Sequence, residues 1–376
     1  MENRNPDMKG LLGAYRLDGM MMRYSQFVPR LYNLCKALGF EAGKIMPSRA
    51  FCSDENQGYP IILITKHFGS FPFNHGRVGG IVATDRHGPH AEHGHDMVII
   101  QASHVGYDPV TATFGSYRRM QTEHEESTAT CGKVCGVTGW YQNEYNFAQQ
   151  NIFLLREGDE WLVRIDNQLL REEREEGLFL HLQALTLDDD PCRVYSTSRA
   201  YRASAQLRER IPESEWREGK GRRIGEYLGA DDFHFKRQIV GDVEGRSHLE
   251  GNLLKAMPYI LTSGAPLLTA AQVNTQIEFD RTFRTIVKER GYRGKRLLFI
   301  SGLNIDISPS DEQLFPLTKF VPWAAYVQNS DGTSMTLEQG ELMESLLAQA
   351  SENPDQIDLE EAIRVMEQVE EVTVRI

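Results

Sequence analysis

Along the first 150 residues the apolar positions switch between two patterns. From Ser25 to Leu38 they recur at three- and four-residue steps (Val28, Leu31, Leu34, Cys35, Leu38). Pro29 suits a first turn and Gly39 a stop, so the stretch predicts a helix with Cys35 on its packed face. Short runs without a helical period follow at Ser48 to Cys52, Ile61 to Thr65, Gly80 to Thr84 and Asp96 to Ala102. Apolar residues on consecutive positions predict strands covered on both faces, and hence a largely parallel sheet with helices on each side. From Cys131 to Gln150 the helical step returns through Val134, Val137, Tyr141, Tyr145 and Ala148. Alternating helices and strands are the signature of an α/β fold.

Further on, Ile152 to Leu155 and Trp161 to Ile165 predict strands, and Leu178 to Leu187 is a further apolar segment. Asp188, Asp189, Asp190 and Pro191 make a boundary. Arg199 to Arg223, rich in both Arg and Glu, reads as a solvated helix with linkers. A second α/β block comprises a helix over Gln272 to Arg290 and a strand over Arg296 to Ile307. Within that strand, Ile300 to Pro309 (ISGLNIDISP) echoes Ile100 to Pro109 (IQASHVGYDP), as a degenerate repeat would. In the tail, Leu359, Ile363, Met366 and Val369 keep a helical step, which predicts a docked amphipathic helix.

Length adds a division. A chain of 376 residues exceeds the roughly 250 to 300 at which single cores stop growing, so two parts are expected. These are an N-terminal α/β domain over 1–190 and a C-terminal α/β extension over 191–376. With 41 basic and 53 acidic residues the formal charge is −12, which argues against nucleic acid or an anionic membrane as partner. Half of that charge lies in the tail from Ser351, so the acidity says little about a substrate. Asp7 and Asp18 interrupt the N-terminal 30 residues, predicting neither a signal peptide nor a membrane anchor. Five cysteines are an odd, sparse set, which points to reduced thiols and a cytoplasmic location.

Three of the chemistry-bearing residues fall where predicted strands end or helices begin. Cys52 closes the strand before it and is followed two residues later by Asp54. His104 closes the strand after Met97, and Cys131 opens the helix from Thr130. In a parallel α/β sheet the carboxyl ends of neighbouring strands converge on one crevice. Two thiolates and an imidazole meeting there form a tetrahedral zinc site with one position open, and the two thiolates cancel the 2+ charge. None of the three forms a C-x2-C pair, so spacing alone leaves core packing and metal ligation both open. No G-x-G-x-x-G follows a strand, which argues against a nicotinamide dehydrogenase.

The runs Phe51-Cys52-Ser53-Asp54-Glu55, Ser103-His104-Val105-Gly106 and Ser127-Thr128-Ala129-Thr130-Cys131-Gly132 resemble, in order and interval, the limiting-CO2-inducible B/C proteins. That family is close to the β-type carbonic anhydrases, and the likeness covers roughly Phe27 to Gln150. It implies a β-carbonic-anhydrase-like fold, a homodimer and a Zn2+ ion held by Cys52, His104 and Cys131. The activity implied is the reversible hydration of CO2 to bicarbonate by zinc-bound hydroxide. The resemblance also assigns Asp54 to a carboxylate that, paired with an arginine, either orients the nucleophile or closes the fourth zinc position.

The β-type motif Cys-x-Asp-x-Arg places its arginine where this chain has Asn56. Arg77, flanked by glycines that permit close approach, is the first replacement; Arg86, Arg118 and Arg119 are alternatives. The histidine loop over His87, His90, His93 and His95 could bind a divalent ion loosely but reads as solvated; His90 falls where the resembling proteins carry a histidine near the active site, which implies a proton shuttle. Cys135, one turn after Cys131, reads as core, as do Cys35 and Cys192. The alternative to an enzyme is an inactive member that binds inorganic carbon or a partner protein through the same site.

Overall fold

The computed structural model describes residues 8–82, 96–118, 127–241, 245–310, 313 and 316–370. Two compact units are present. One comprises Met1–Gly13 with Gly132–Val273, and the other Ala14–Cys131 with Asn274–Ile376. Neither follows the expected boundary at residue 190, because strands on both sides of it belong to one sheet.

That sheet, in the second unit, has eight strands. Along its main path the order is Met22–Arg23, Leu317–Gln328, Leu297–Ile307, Asp96–Asp108, Ile45–Ala50 and Phe73–Asn74. The last four pair in parallel, whereas Leu317–Gln328 runs antiparallel to Leu297–Ile307. The sheet is therefore mixed rather than largely parallel. Leu317–Gln328, which the apolar pattern did not single out, supplies the longest antiparallel pairing. The echo between the two motif copies corresponds to physical pairing: Leu297 to Ile307 lie in register beside Met97 to Tyr107. The C-terminal block thus completes the sheet that carries His104.

Both faces of this sheet are covered, and the period of two decides which side chain goes where. Val98, Ile100, Ala102, Leu298 and Ile300 face one core, together with Tyr24, Phe27, Leu31 and Ile64 from the helices Tyr24–Ala37 and Gly58–Phe68 and with Leu342 from Gln339–Leu347. Met97, Ile99, Leu297 and Phe299 face the other, against Phe279, Phe283 and Ile286 of the helix Pro266–Ile286. The helix Tyr24–Ala37 forms as expected, but it begins one residue early, so Pro29 lies inside it rather than in its first turn.

Ile61 to Thr65 is helical, not a strand. It lies within Gly58–Phe68, which ends on Gly69 in the left-handed conformation. Pro60, Ile64 and Phe68 are buried at four-residue steps while Ile62 is exposed. An apolar run this short does not tell a covered helix from a strand. Only Ile81–Val82 of the expected strand Gly80 to Thr84 is seen among the described residues. The tail helix Leu359–Gln368 forms, capped by Asp358, yet none of its residues is buried, contrary to the docked helix expected.

In the first unit the helix Gly132–Asn151 leads into the hairpin Ile152–Glu157 and Glu160–Asp166, which anchors a five-stranded antiparallel sheet. Part of Arg199 to Arg223, expected as a solvated helix, joins this sheet. Ser198–Arg202 pairs with Glu160–Asp166, burying Ala200 and Tyr201. Ala205–Arg210 is the helical part, capped by Ser204. Among the described residues, no helix is long and apolar enough to cross a membrane.

Candidate metal centre

Three segments of the second unit converge beneath the carboxyl end of the strand Ile45–Ala50. Cys52 lies two residues beyond that strand, before the short 3-10 turn Glu55–Gln57. The Gly79 N–H lies 3.3 Å from its Sγ and points to it. This segment can pass so close only because glycine stands at its points of nearest approach. A Cβ at Gly76 would sit 1.8 Å from the Phe51 carbonyl oxygen, and one at Gly80, whose φ is +77°, 2.1 Å from that of Ala102.

His104 does not close its strand but lies inside it, since the strand runs on to Asp108. Its even position puts the ring on the same face as Asn304 and Asp306 of the neighbouring strand. Cys131 follows the short strand Ser127–Ala129. Thr130 is clasped on both sides, its carbonyl accepting from Gly106 N–H and its own N–H donating to Gly115.

The result is a buried cluster. The Cys52 and Cys131 sulfurs are 3.7 Å apart, and His104 Nε2 is 3.3 Å from Asp54 Oδ2. Ligand atoms of Cys52, Asp54, His104 and Cys131 all lie within 4.8 Å of one another. Cys52, His104 and Cys131 are buried, and Asp54 is partly exposed. Both cysteines are free thiols.

The electrostatics of the cluster favour positive charge at its centre. Donation from the Cys131 thiol, then the nearby His104 imidazole, holds the Cys52 thiol down to about 4, against the opposing effect of burial. Cys131 is pushed up by the same hydrogen bond and by burial. Burial pulls the His104 imidazole down, but Asp306, Asp54 and the two sulfurs outweigh it and hold the ring well above its ordinary value. Two sulfurs and two carboxylates thus surround one imidazole, an arrangement that a divalent cation would also satisfy.

Whether the donors fit a metal can be judged from His104. Its Nδ1 lies 2.9 Å from Asp306 Oδ2 and donates to it, while Nε2 is buried without a hydrogen bond among the described residues. A divalent cation among the sulfurs would take the place of the second ring proton that this arrangement favours, leaving a neutral imidazole with Nδ1 as donor to Asp306 and Nε2 as the lone-pair ligand. A metal-ligating histidine is held in this way, with its far nitrogen on a carboxylate. The donor set of two sulfurs, one nitrogen and one oxygen suits a tetrahedral ion.

Of the other residues singled out, Arg77 sits on the short strand Gly76–Arg77, beside the glycines that approach the cluster, with its side chain exposed. Arg118 closes the strand Ser116–Arg118, its backbone N–H donating to Ser308 Oγ. His90, the rest of the histidine loop, Arg86 and Arg119 lie outside the described residues. Cys135 is half-buried and not among the four clustered residues, and Cys35 is core. Cys192, read as core, is exposed. Asp306, Gln57, Asn304 and Tyr24, which adjoin the cluster, were missed; the ISGLNIDISP echo was the only signal for two of them.

No protein-family model matches the chain, and no curated protein does. Solved structures do share its fold. A histidine-to-alanine variant of PtLCIB4, a homologue of the limiting CO2-inducible protein LCIB, matches with a TM-score of 0.52 at 12% identity, covering 88% of this chain and 98% of that one. The unmodified PtLCIB4 gives 0.51 at 12% identity, covering 88% and 99%. The chain has the fold of this LCIB homologue.

Proposed function

We propose that the protein is a zinc-dependent carbonic anhydrase, interconverting CO2 and bicarbonate at the cluster of Cys52, Asp54, His104 and Cys131. The observation that carries this is His104 Nε2, buried beside two cysteine sulfurs with its opposite nitrogen tied to a buried carboxylate. Fold similarity to an LCIB homologue and the short motifs around Cys52, His104 and Cys131 agree with it.

Zinc held there would supply a Lewis acid that makes a coordinated water acidic near neutral pH. The protein's part is to balance charge and to orient. Cys52 and Cys131 as thiolates neutralise the 2+ ion, and His104 adds a neutral donor. Asp54, partly exposed at the edge of the cluster, accepts a hydrogen bond from the attacking water and aligns it with CO2. Arg77 is proposed as the cation that governs Asp54, in place of the arginine absent at position 56. His90 is proposed to carry the released proton to solvent. The assembly proposed is a homodimer.

A second reading is favoured by one distance. Asp54 Oδ2 stands only 3.3 Å from His104 Nε2, close enough for the carboxylate to take the fourth position and leave an inactive protein that binds inorganic carbon or a partner. Anomalous scattering at the zinc edge separates the two readings. A peak among Cys52, His104 and Cys131 with a water as its fourth neighbour supports the enzyme, Asp54 as fourth neighbour supports the closed form, and no peak overturns both.

A further inference from the structure

We propose that Asp306 is a positioning residue: at the end of a buried, one-way chain of hydrogen bonds from Tyr24, it fixes the tautomer and orientation of His104. The inference rests on the metal-site reading above and assigns that site a task for the C-terminal block.

The chain can be followed atom by atom. Tyr24 O–H donates to Asn304 Oδ1 at 2.9 Å, and Asn304 Nδ2 donates to Gln57 Oε1 at 2.7 Å. Gln57 Nε2 donates in turn to Asp306 Oδ2 at 2.7 Å, and Thr318 Oγ1 to Asp306 Oδ1 at 3.0 Å. His104 Nδ1, at 2.9 Å from Oδ2, is the third donor to this carboxylate. All five partners and His104 are buried.

Asp306 accepts at both oxygens, from Gln57 at Oδ2 and from Thr318 at Oδ1, and this sets the direction of every link. Turning over the Gln57 amide would set its oxygen against the Asp306 oxygen. Turning over Asn304 would set its oxygen against that of Gln57 and its NH2 against the Tyr24 hydroxyl. With each amide fixed, Asp306 can take a proton only from His104 Nδ1, and Nε2 is left as the acceptor. Strand register builds the arrangement: Asn304 lies opposite His104, and Asp306 opposite both Gly106 and Thr318, so these four side chains share one face across three strands.

Its cost argues for a task. Phe27, Phe51 and Phe320 belong to the core on that face, and burying a carboxylate and two amides beside such residues stabilises a fold less than apolar side chains of equal volume would. A carboxylate behind a metal-ligating histidine raises its basicity and holds its ring, and losing one lowers metal affinity about 10- to 100-fold.

The test uses the full chain in three forms, wild type, Asp306→Asn and Tyr24→Phe. Zinc affinity is measured by competition with a chromophoric chelator, folding by circular-dichroism melting of the metal-free proteins, and geometry by the visible spectrum of the Co2+-loaded proteins. Asp306→Asn is expected to bind zinc about 10- to 100-fold more weakly with an altered Co2+ spectrum, and Tyr24→Phe to be weakened less. In zinc-loaded wild type, ring 15N spectra are expected to show His104 protonated on Nδ1; this reading needs no variant to fold. Wild-type zinc affinity and Co2+ spectrum in a folded Asp306→Asn overturns the inference while leaving the metal site intact, whereas a proton on Nε2 in the zinc-loaded protein overturns both the inference and His104 as a ligand. A wild type that takes up neither ion overturns both readings.

Discussion

The sulfur atoms of Cys52 and Cys131 stand 3.7 Å apart, brought together from segments 79 residues apart in sequence. A disulfide would need about 2.05 Å. Two thiolates on one tetrahedral zinc, each about 2.3 Å from the ion, lie about 3.8 Å apart. The spacing therefore matches shared ligation and not a covalent bond.

Removing either sulfur should remove the metal. Zinc in purified Cys131→Ala is expected to fall from about one per chain to near zero, because ligand loss and binding free energy are directly coupled. Cys135→Ala, whose residue is not among the clustered donors, should keep its zinc. Elemental analysis of the two variants checks this; equal zinc in both would refute the donor assignment.

Asp54 is given an orienting role, so its loss should act on rate and not on metal content. Asp54→Asn is expected to hold zinc while CO2 hydration at neutral pH falls by about 10²-fold. A rise in rate would instead identify Asp54 as the group that closes the site.

Acid should destabilise the fold through a histidine outside the cluster. Burial pushes the His75 imidazole down to about 3, and Ser48 Oγ lies 2.8 Å from its Nδ1. The unfolded chain takes up a proton there below about pH 6.5, whereas the folded chain does not. Between those values the unfolded state binds more protons, so stability is lost as pH falls, by up to about 1.4 kcal/mol per pH unit. His67, held down to about 4 by burial and then by Lys66, acts in the same direction. Urea unfolding of wild type between pH 7 and pH 5 should show this slope, and His75→Gln a shallower one. Equal slopes would contradict the account.

Glycine at position 80 is needed for two reasons, its φ of +77° and the Ala102 carbonyl 2.1 Å from where a Cβ would sit. Gly80→Ala should cost about 2–4 kcal/mol, conformational strain and overpacking together. Gly43, with a φ of +75° but nothing within 4 Å of a Cβ, isolates the conformational part, about 1–2 kcal/mol. Thermal melts of Gly80→Ala and Gly43→Ala should differ in that order.

What the sequence could show depended on how local each feature was. The helix Tyr24–Ala37 was legible because its apolar face is complete within fourteen residues. Cys52, His104 and Cys131 were legible as a set through the short motifs around them, although His104 lies inside its strand and not at its end, and the structure does bring them together with Asp54. Ile61 to Thr65 was misread because four consecutive apolar residues carry no period. The tail helix shows a clear period yet buries nothing, since periodicity describes a face and not its partner. Asp306 could not be assigned, because its partner His104 is 202 residues away and only strand register joins them. The faint ISGLNIDISP echo was the trace of that register.

The central claim is that this cluster hydrates CO2 with zinc. Stopped-flow CO2 hydration, with zinc content determined on the same samples, tests it most directly. The account predicts a catalysed rate that rises with zinc occupancy and is lost in Cys52→Ala. Wild type carrying about one zinc per chain yet hydrating CO2 no faster than Cys52→Ala would contradict it.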